Sequence, residues 1–97
     1  MFVSITRCDT SESSDADGPI VGEEMDSWLT GLEGYRGLMV VTRENETLGL
    51  AFWETEELAS QHSELRAEFR ERMLSLAGVR ILGVEGYDVA FARVELD

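Results

Sequence analysis

The chain has 97 residues, a length that suits one small domain in which folding buries a modest fraction of the surface. We therefore expect a single domain over residues 1–97. The sequence carries 20 acidic residues against 8 basic ones, for a net charge of -12. Nucleic acids and anionic membranes bind surfaces rich in lysine and arginine, so this charge argues against both as partners.

The cysteine content and the N-terminal sequence predict a cytoplasmic protein. Cys8 is the only cysteine, which excludes an internal disulfide and agrees with a reducing compartment. The opening stretch MFVSITRCD has no basic leader, and its apolar run is too short to span a membrane.

A first β-strand is predicted at residues 1–8, because apolar and polar residues alternate there. The alternation divides the side chains between two faces, with Val3, Ile5 and Arg7 on one and Phe2, Ser4, Thr6 and Cys8 on the other. We expect the small polar side chains of the second face to line a pocket. Residues 9–18, which are polar and acidic, are predicted to form a mobile surface loop.

A first helix is predicted after this loop, because Pro19 suits a first helical turn and apolar residues then recur at helical spacing. These apolar residues are Val21, Met25, Trp28 and Leu32. Acidic side chains near the helix start would meet the positive end of the helix dipole. They belong to Glu23, Glu24 and Asp26. Gly31 and Gly34 are the predicted terminators of this helix.

Two β-rich runs follow, YRGLMVVTR at 35–43 and TLGLAFWE at 47–54. The connection ENE is short enough for a hairpin, and Asn45 is its predicted positive-φ residue. The tail at 79–96 is a further β-prone stretch, with Gly83 and Gly86 as expected bulge or bend sites.

A second, longer helix is predicted between these β-rich regions, from an N-cap at Thr55 to about Ala77, with Gly78 as its stop. Its apolar stripe consists of Leu58, His62, Leu65, Phe69, Met73 and Leu76. The other sides alternate glutamate with arginine and are expected to be solvated, with ion pairs such as Glu68 with Arg72.

The predicted order of elements is that of an α+β, ferredoxin-like βαββαβ sandwich with a four-stranded antiparallel sheet. Its helices would cover one face of the sheet. The other face would expose apolar side chains in a monomer, so a homodimer that packs these faces together is expected.

The run from Gly31 to Met73 resembles the dimeric α/β-barrel superfamily, and in particular its antibiotic-biosynthesis-monooxygenase-like domains. The features that carry the resemblance are the GYRG turn entering the second strand, the pair Trp53 and Glu54 closing the third, and the acidic helix start TEEL. The likeness covers most of the chain from about Met25 onward, plus the first strand. It implies that the sheets of two subunits form one barrel, with a pocket in each subunit between sheet and helices.

Members of this superfamily include cofactor-free monooxygenases of polycyclic aromatic phenols, haem-degrading oxygenases, isomerases and domains of unknown role, so the fold alone does not select an activity. The haem-degrading branch places an asparagine late on the first strand, and a tryptophan and a histidine on the second helix. Here the first-strand position is Thr6 or a neighbour, and the second helix has no tryptophan. His62 falls where that tryptophan would be, while the ligand position lies near Arg70 or Arg72. These departures argue against haem degradation.

A cofactor-free oxygenase needs a base or a strong hydrogen-bond partner in an apolar pocket, where it deprotonates a phenol or enol. His62 is the candidate catalytic residue, because histidine titrates near neutrality and its neighbours on the stripe are apolar. The alternative is a partly buried histidine that is bonded to a backbone carbonyl or lies at the edge of the stripe. The chain has no second histidine and no cysteine cluster, so we expect no metal and no other cofactor.

Six further residues are candidates for the substrate pocket, namely Thr6, Trp28, Tyr35, Arg36, Trp53 and Tyr87. The aromatic rings could stack against a flat ligand, and Arg36 could stabilise an oxyanion. Each has a structural alternative, which is core or dimer packing for the rings and a surface or interface ion pair for Arg36. Nothing beside Cys8 in the sequence argues for a depressed thiol pKa.

Two functions of different classes are therefore considered. The first is a cofactor-independent monooxygenase acting on a small aromatic of the phenol or quinol type. The second is a non-catalytic homodimeric domain that binds a small molecule or only assembles. An open cavity bordered by His62 and aromatic rings would favour the first, and a filled interior would argue against it.

Overall fold

The computed structural model of the chain describes residues 1–11, 18–61, 67–69, 71–72 and 79–95. Within these residues, four strands form one antiparallel sheet in the order β2-β3-β1-β4. The strands are β1 at Phe2–Asp9, β2 at Tyr35–Arg43, β3 at Glu46–Trp53 and β4 at Arg80–Asp88. Helix α1 spans Gly18–Leu29, and helix α2 spans Glu56–Ser60; residues 67–69 and 71–72 are also helical. The predicted βαββαβ order and the four-stranded antiparallel sheet are confirmed.

Burial divides the sheet into two unlike faces. On β3 the side chains alternate strictly, with Thr47, Gly49, Ala51 and Trp53 buried and the residues between them half-buried. The buried set faces the helices, because Trp53 clusters with Ala59 of α2 and Cys8 of β1 clusters with Met25 of α1. The alternation predicted for β1 is confirmed, since Ser4, Thr6 and Cys8 are all buried.

The opposite face, called the outer face below, is apolar near its middle, and no helix of the described residues packs on it. Because directly paired residues of antiparallel strands share a face, the register identifies its members. Its apolar and aromatic members are Val3 and Ile5 of β1, Met39 and Val41 of β2, Leu48, Leu50 and Phe52 of β3, and Tyr87 of β4. Most of these side chains are half-buried, Val3 is buried, and Val41 and Tyr87 are exposed. The same register also places charged residues on this face, namely Arg7, Asp9, Arg43, Glu46, Arg80 and Glu85.

The turn between β2 and β3 differs from the prediction. Arg43 pairs with Glu46, so the loop has two residues, and the positive φ of 51° belongs to Glu44 and not to Asn45. The favoured two-residue hairpin turns have a positive φ at their first central residue, which here is Glu44. The backbone carbonyl of Asn45 instead accepts a hydrogen bond from Thr10 N at 2.9 Å, which ties the turn to the end of β1.

Helix α1 begins one residue before Pro19, so its first turn contains no acidic residue and the predicted acidic start is wrong. Its end is as predicted, because Gly31 and Gly34 follow with φ of 96° and 86°. Leu32 therefore lies beyond the helix. No helix in the described residues is long and apolar enough to cross a membrane.

The N-cap of α2 is confirmed. The Thr55 side chain accepts a hydrogen bond from Leu58 N at 3.2 Å, and its φ of -142° is extended, as a cap requires. Several predicted features lie outside the described residues, namely most of the 9–18 loop, the Val21 side chain, the Gly78 stop, and His62, Leu65, Met73 and Leu76 of the stripe.

Strand β4 contains the predicted bulge at Gly83 but ends earlier than the sequence suggests. The register shifts between Arg7, which pairs with Gly83, and Cys8, which pairs with Ile81. Gly86 pairs regularly, and its missing side chain leaves room for the Phe2 ring. The last ladder pair joins Phe2 to Asp88, and Val89 N donates one more backbone hydrogen bond to the Met1 carbonyl at 2.9 Å before the chain leaves the sheet.

Two glycines after α1 permit a matched test of backbone strain and packing. Both have positive φ, but an added Cβ at Gly31 would have no neighbour within 4 Å, whereas one at Gly34 would lie 2.8 Å from Leu58 Cβ. Gly31→Ala should cost about 1–2 kcal/mol of unfolding free energy, from the left-handed conformation alone. Gly34→Ala should cost a further ~1–3 kcal/mol from overpacking against α2. Urea unfolding measures both, and equal losses would contradict the contact with Leu58.

Candidate functional site

A cavity lies between the sheet and the helical layer. Its volume is about 60 Å³, several times the ~10–15 Å³ that one water molecule needs. The sheet contributes Ser4, Thr6, Ala51, Trp53 and Val84, and the helical side contributes Met25, Trp28, Leu29, Leu32 and Phe69. Among these side chains none is charged, and the polar groups are two hydroxyls and the indole nitrogens.

Small side chains on the central strands make room for this cavity. Thr6 of β1 pairs with Gly49 of β3, and the Met25 side chain of α1 lies over the glycine, 2.7 to 2.8 Å from where a Cβ would be. Ala51 is the next residue on the same face of β3. Larger residues at these two positions would fill the space between the strands and α1.

Trp53 is held on the floor of the cavity by contacts on two sides. Its Nε1 donates a buried hydrogen bond to Ser4 Oγ at 3.2 Å, and the Tyr35 ring meets it edge-on with centroids 5.7 Å apart. The Tyr35 contact depends on the register shift in β2, which places Arg36 in a bulge and leaves Tyr35 directly opposite Trp53. The indole orientation is therefore determined by two neighbouring strands.

Trp28 forms part of the helical wall. Its ring meets Phe69 edge-on with centroids 5.9 Å apart, and the Arg72 guanidinium lies 5.7 Å from the ring centroid. Arg72 also pairs with Glu24 of α1 at 3.5 Å; its predicted pairing with Glu68 is not observed among the described residues. Arg72 therefore connects the second helical region to α1 and reinforces the contact that closes the cavity.

Tyr35 packs against Trp53 but does not line the cavity. Its hydroxyl donates a hydrogen bond to Asp26 Oδ1 at 2.8 Å. Burial raises the pKa of Tyr35, and the hydrogen bond to Asp26 and the charge of that carboxylate raise it further. The phenol consequently stays protonated across the physiological range and cannot serve as a base there.

Arg36 and Tyr87, the other two predicted pocket residues that do not line the cavity, lie elsewhere on the sheet. Arg36 forms an exposed ion pair with Glu54 at 3.5 Å, which is the structural alternative considered for it. Tyr87 lies opposite Val3 and therefore on the outer face, where its hydroxyl donates to Glu85 Oε2 at 2.6 Å. The pairing register, which the sequence does not reveal, places Tyr87 away from the helices.

Thr6, Trp28 and Trp53 do line the cavity, and whether it receives a substrate stays a prediction. Sequence reasoning did not single out Leu29, Ala51 or Val84. Ala51 lies two residues before Trp53 on β3, so the alternation of a strand could have indicated it. Val84 lines the cavity only because it pairs with Thr6. His62 lies outside the described residues.

Cys8 lies on the helix-facing side of β1, as Ser4 and Thr6 do, but its environment disfavours reactivity. Burial raises the pKa of the thiol from 9.0 to about 11, so it remains protonated and weakly nucleophilic at neutral pH. Among the described residues, no group of three or more histidine, cysteine, aspartate or glutamate side chains is placed to hold a metal ion.

Comparison with known proteins identifies the fold. No protein-family model matches the sequence, and no curated protein matches it. A crystal structure at 1.40 Å resolution of a Deinococcus radiodurans protein, described as a "putative antibiotic biosynthesis monooxygenase", is similar over 100% of both chains. The TM-score is 0.63 and the sequence identity is 12%, so the likeness concerns the fold alone. The chain thus has the fold of antibiotic-biosynthesis-monooxygenase-like domains.

The buried thiol predicts a specific dependence of stability on pH. The pKa of Cys8 is higher in the folded chain than in the unfolded chain, so its contribution is complete below about pH 9.0 and is lost as the pH rises toward about 11. Between these values the wild-type unfolding free energy should fall more steeply than that of Cys8→Ala, by up to ~1.4 kcal/mol per pH unit. Parallel curves from denaturant unfolding would show that the thiol does not titrate differently in the two states.

Proposed function

We propose that this chain is a homodimeric antibiotic-biosynthesis-monooxygenase-like domain that binds a small phenol- or quinol-type aromatic in its cavity and oxidises it without a cofactor. The supporting observation is the cavity itself, which is partly open, lined mainly by apolar side chains and bordered by both tryptophans of the chain. Aromatic side chains of this kind offer flat surfaces for stacking, and the small number of polar groups would orient the ligand.

The proposed chemistry begins when a base removes a proton from the phenol or enol, and the electron-rich carbanion form then bonds to dioxygen. The resulting hydroperoxide, on a carbon that carries a hydrogen, loses water to leave a carbonyl group, so the substrate supplies the electrons and the second oxygen atom leaves as water. An apolar enclosure assists the deprotonation, because a developing oxyanion interacts more strongly with nearby donors when water is excluded. The described walls supply such donors in the hydroxyls of Ser4 and Thr6. His62 remains the proposed base.

A second candidate function, binding without turnover, is favoured by a separate observation. None of the side chains described in the cavity lining can act as a general base near neutral pH, because they are hydroxyl, indole or apolar groups. Tyr35 and Cys8 lie outside the lining, and both have raised pKa values. If His62 does not reach the cavity, the walls would serve to bind a neutral aromatic and nothing more.

The outer face supports the proposed homodimer. Ile5 lies near its middle, between Leu50 and Glu85, and Leu50 in turn lies opposite Met39 of β2. An apolar sheet face without a covering layer is unusual for a monomer, and a two-fold axis lets the same face on a second copy cover it. Packing these faces together would leave most of the acidic residues on the outside of the dimer.

Oxygen consumption tests the catalytic proposal. Wild-type protein is incubated aerobically with anthrones, quinols and flavonoids while an oxygen electrode records uptake. His62→Ala should reduce the rate by ~10²-fold or more, a loss typical of removing a general base. Arg36→Gln is the matched control, because its ion pair is exposed and lies away from the cavity, and it should retain the wild-type rate.

The two candidate functions make different predictions in this experiment. Binding of an aromatic, followed by the indole N–H signals of the two tryptophans, without oxygen uptake would support the non-catalytic function. Equal rates in wild type and His62→Ala would remove His62 from the mechanism. Failure of every tested aromatic to bind would contradict both functions.

Sedimentation measures the dimer directly. Wild-type protein should have twice the 10.8 kDa mass of one chain. Leu50→Asp should shift it to monomer, because a carboxylate would be buried without a partner at the middle of the outer face. Thr42→Asp is the control, since Thr42 is exposed on the other face of β2. Circular dichroism of both variants separates dissociation from unfolding, and a monomeric wild type would refute the proposal.

A further inference from the structure

We infer that Ser4 and Thr6 form a two-hydroxyl subsite that binds an acceptor oxygen of the aromatic ligand, with Trp53 as the residue that orients the Ser4 proton. The inference deepens the proposed function and rests on it, because it takes the cavity to be a ligand site. It goes beyond that function by naming the part of the ligand that is recognised and the residues that recognise it.

The orientation of Ser4 follows from its hydrogen bond with Trp53. An indole nitrogen can only donate, so Ser4 Oγ must be the acceptor in the 3.2 Å contact. One lone pair of the hydroxyl is thereby occupied, and its proton must point elsewhere. Ser4 is only 7% exposed, and the described residues offer no acceptor for that proton. The cavity that Ser4 lines is the remaining direction.

Thr6 supplies the second hydroxyl. It lies two residues further along the same strand face, which places its Cα about 7 Å from that of Ser4. Its neighbours across the sheet are Gly49 and Val84, which have no side-chain hydrogen-bonding groups. Thr6 is 8% exposed, borders the cavity, and has no hydrogen-bond partner among the described residues. Because this hydroxyl borders the cavity, a ligand there could satisfy its hydrogen-bonding capacity.

The surroundings restrict the ligand to a neutral molecule. None of the described lining side chains carries a charge, and burying an unpaired carboxylate or ammonium group in such walls is strongly unfavourable. Two hydroxyls on one side and aromatic rings on the other suit an aryl ketone, a quinone or a neutral phenol, with its oxygen directed at β1. In an oxidation, the same hydroxyls would stabilise negative charge that develops on this oxygen.

The chain contains a matched control for these hydroxyls. Thr47 is 2% exposed and lies on the same helix-facing side of the sheet, opposite Cys8. It also lacks a side-chain hydrogen bond among the described residues, but it does not border the cavity. Replacing Thr47 by valine therefore removes a buried hydroxyl of the same kind without altering the proposed subsite.

The experiment compares two probes of nearly the same shape, acetophenone and α-methylstyrene, in which a carbonyl oxygen is replaced by a methylene group. Binding is followed by the indole N–H signals of Trp28 and Trp53, because both rings border the cavity. Wild-type protein should bind acetophenone about tenfold more tightly. Thr6→Val and Ser4→Ala should each reduce this preference to less than about threefold, while affinity for α-methylstyrene is retained. Thr47→Val should keep the wild-type preference.

Trp53→Phe tests the positioning role separately, because it leaves both hydroxyls in place and removes the N–H donor while an aromatic ring, although a smaller one, remains at this position. The preference for acetophenone should fall in this variant, a change that loss of packing alone would not produce, since packing affects both probes alike. Equal binding of the two probes by wild type, or an unchanged preference in Thr6→Val and Ser4→Ala, would overturn the subsite and leave the proposed aromatic-binding function intact. Failure of both probes to bind would contradict the proposed function as well.

Discussion

The position of β1 between β3 and β4 determines the rest of this domain. Each residue of β1 is paired on both sides, so a single register decides which side chains of three strands face the helices. A shift of one residue would exchange Ser4 and Thr6 with Val3 and Ile5, and would place apolar side chains in the cavity and hydroxyls on the outer face. Both the cavity and the apolar outer face therefore depend on this pairing.

The cavity exists because bulky and small residues are arranged in layers. The two tryptophans and Phe69 occupy its perimeter. Gly49 and Ala51 leave space above the middle of the sheet, because they have little or no side chain. The large rings are held by edge contacts with other rings, by Arg72 and by the hydrogen bond to Ser4, so they are prevented from collapsing inward. Interiors of proteins are otherwise densely packed, which makes a space held open in this way a reasonable place for a ligand.

The outer face combines apolar side chains with charged residues, and one polar cluster lies near β4. Glu85 accepts a hydrogen bond from Tyr87 and pairs with Arg7 at 3.5 Å. The hydrogen bond from Tyr87 is the larger cause, and the charge of Arg7 the next, of a pKa of Glu85 below its usual range. In the proposed dimer, Tyr87 and Arg7 would satisfy the hydrogen-bonding and charge requirements of the Glu85 carboxylate where water is scarce. The position of this cluster would also help to define how two copies align.

Local patterns in the sequence determined the kind and order of the elements. Alternation along β1, the glycines after α1 and the Thr55 cap act over a few residues, so they can be read without knowledge of the fold, and the structure confirms them. Tertiary structure alone decided what these elements bring together. The contact between Ser4 and Trp53 joins residues 49 positions apart, and the bulge at Arg36 decides that Tyr35 supports Trp53. Tyr87 lies on the outer face because of its pairing with Val3. Periodicity is a property of one segment, whereas register is a property of two, and only the folded sheet specifies the second.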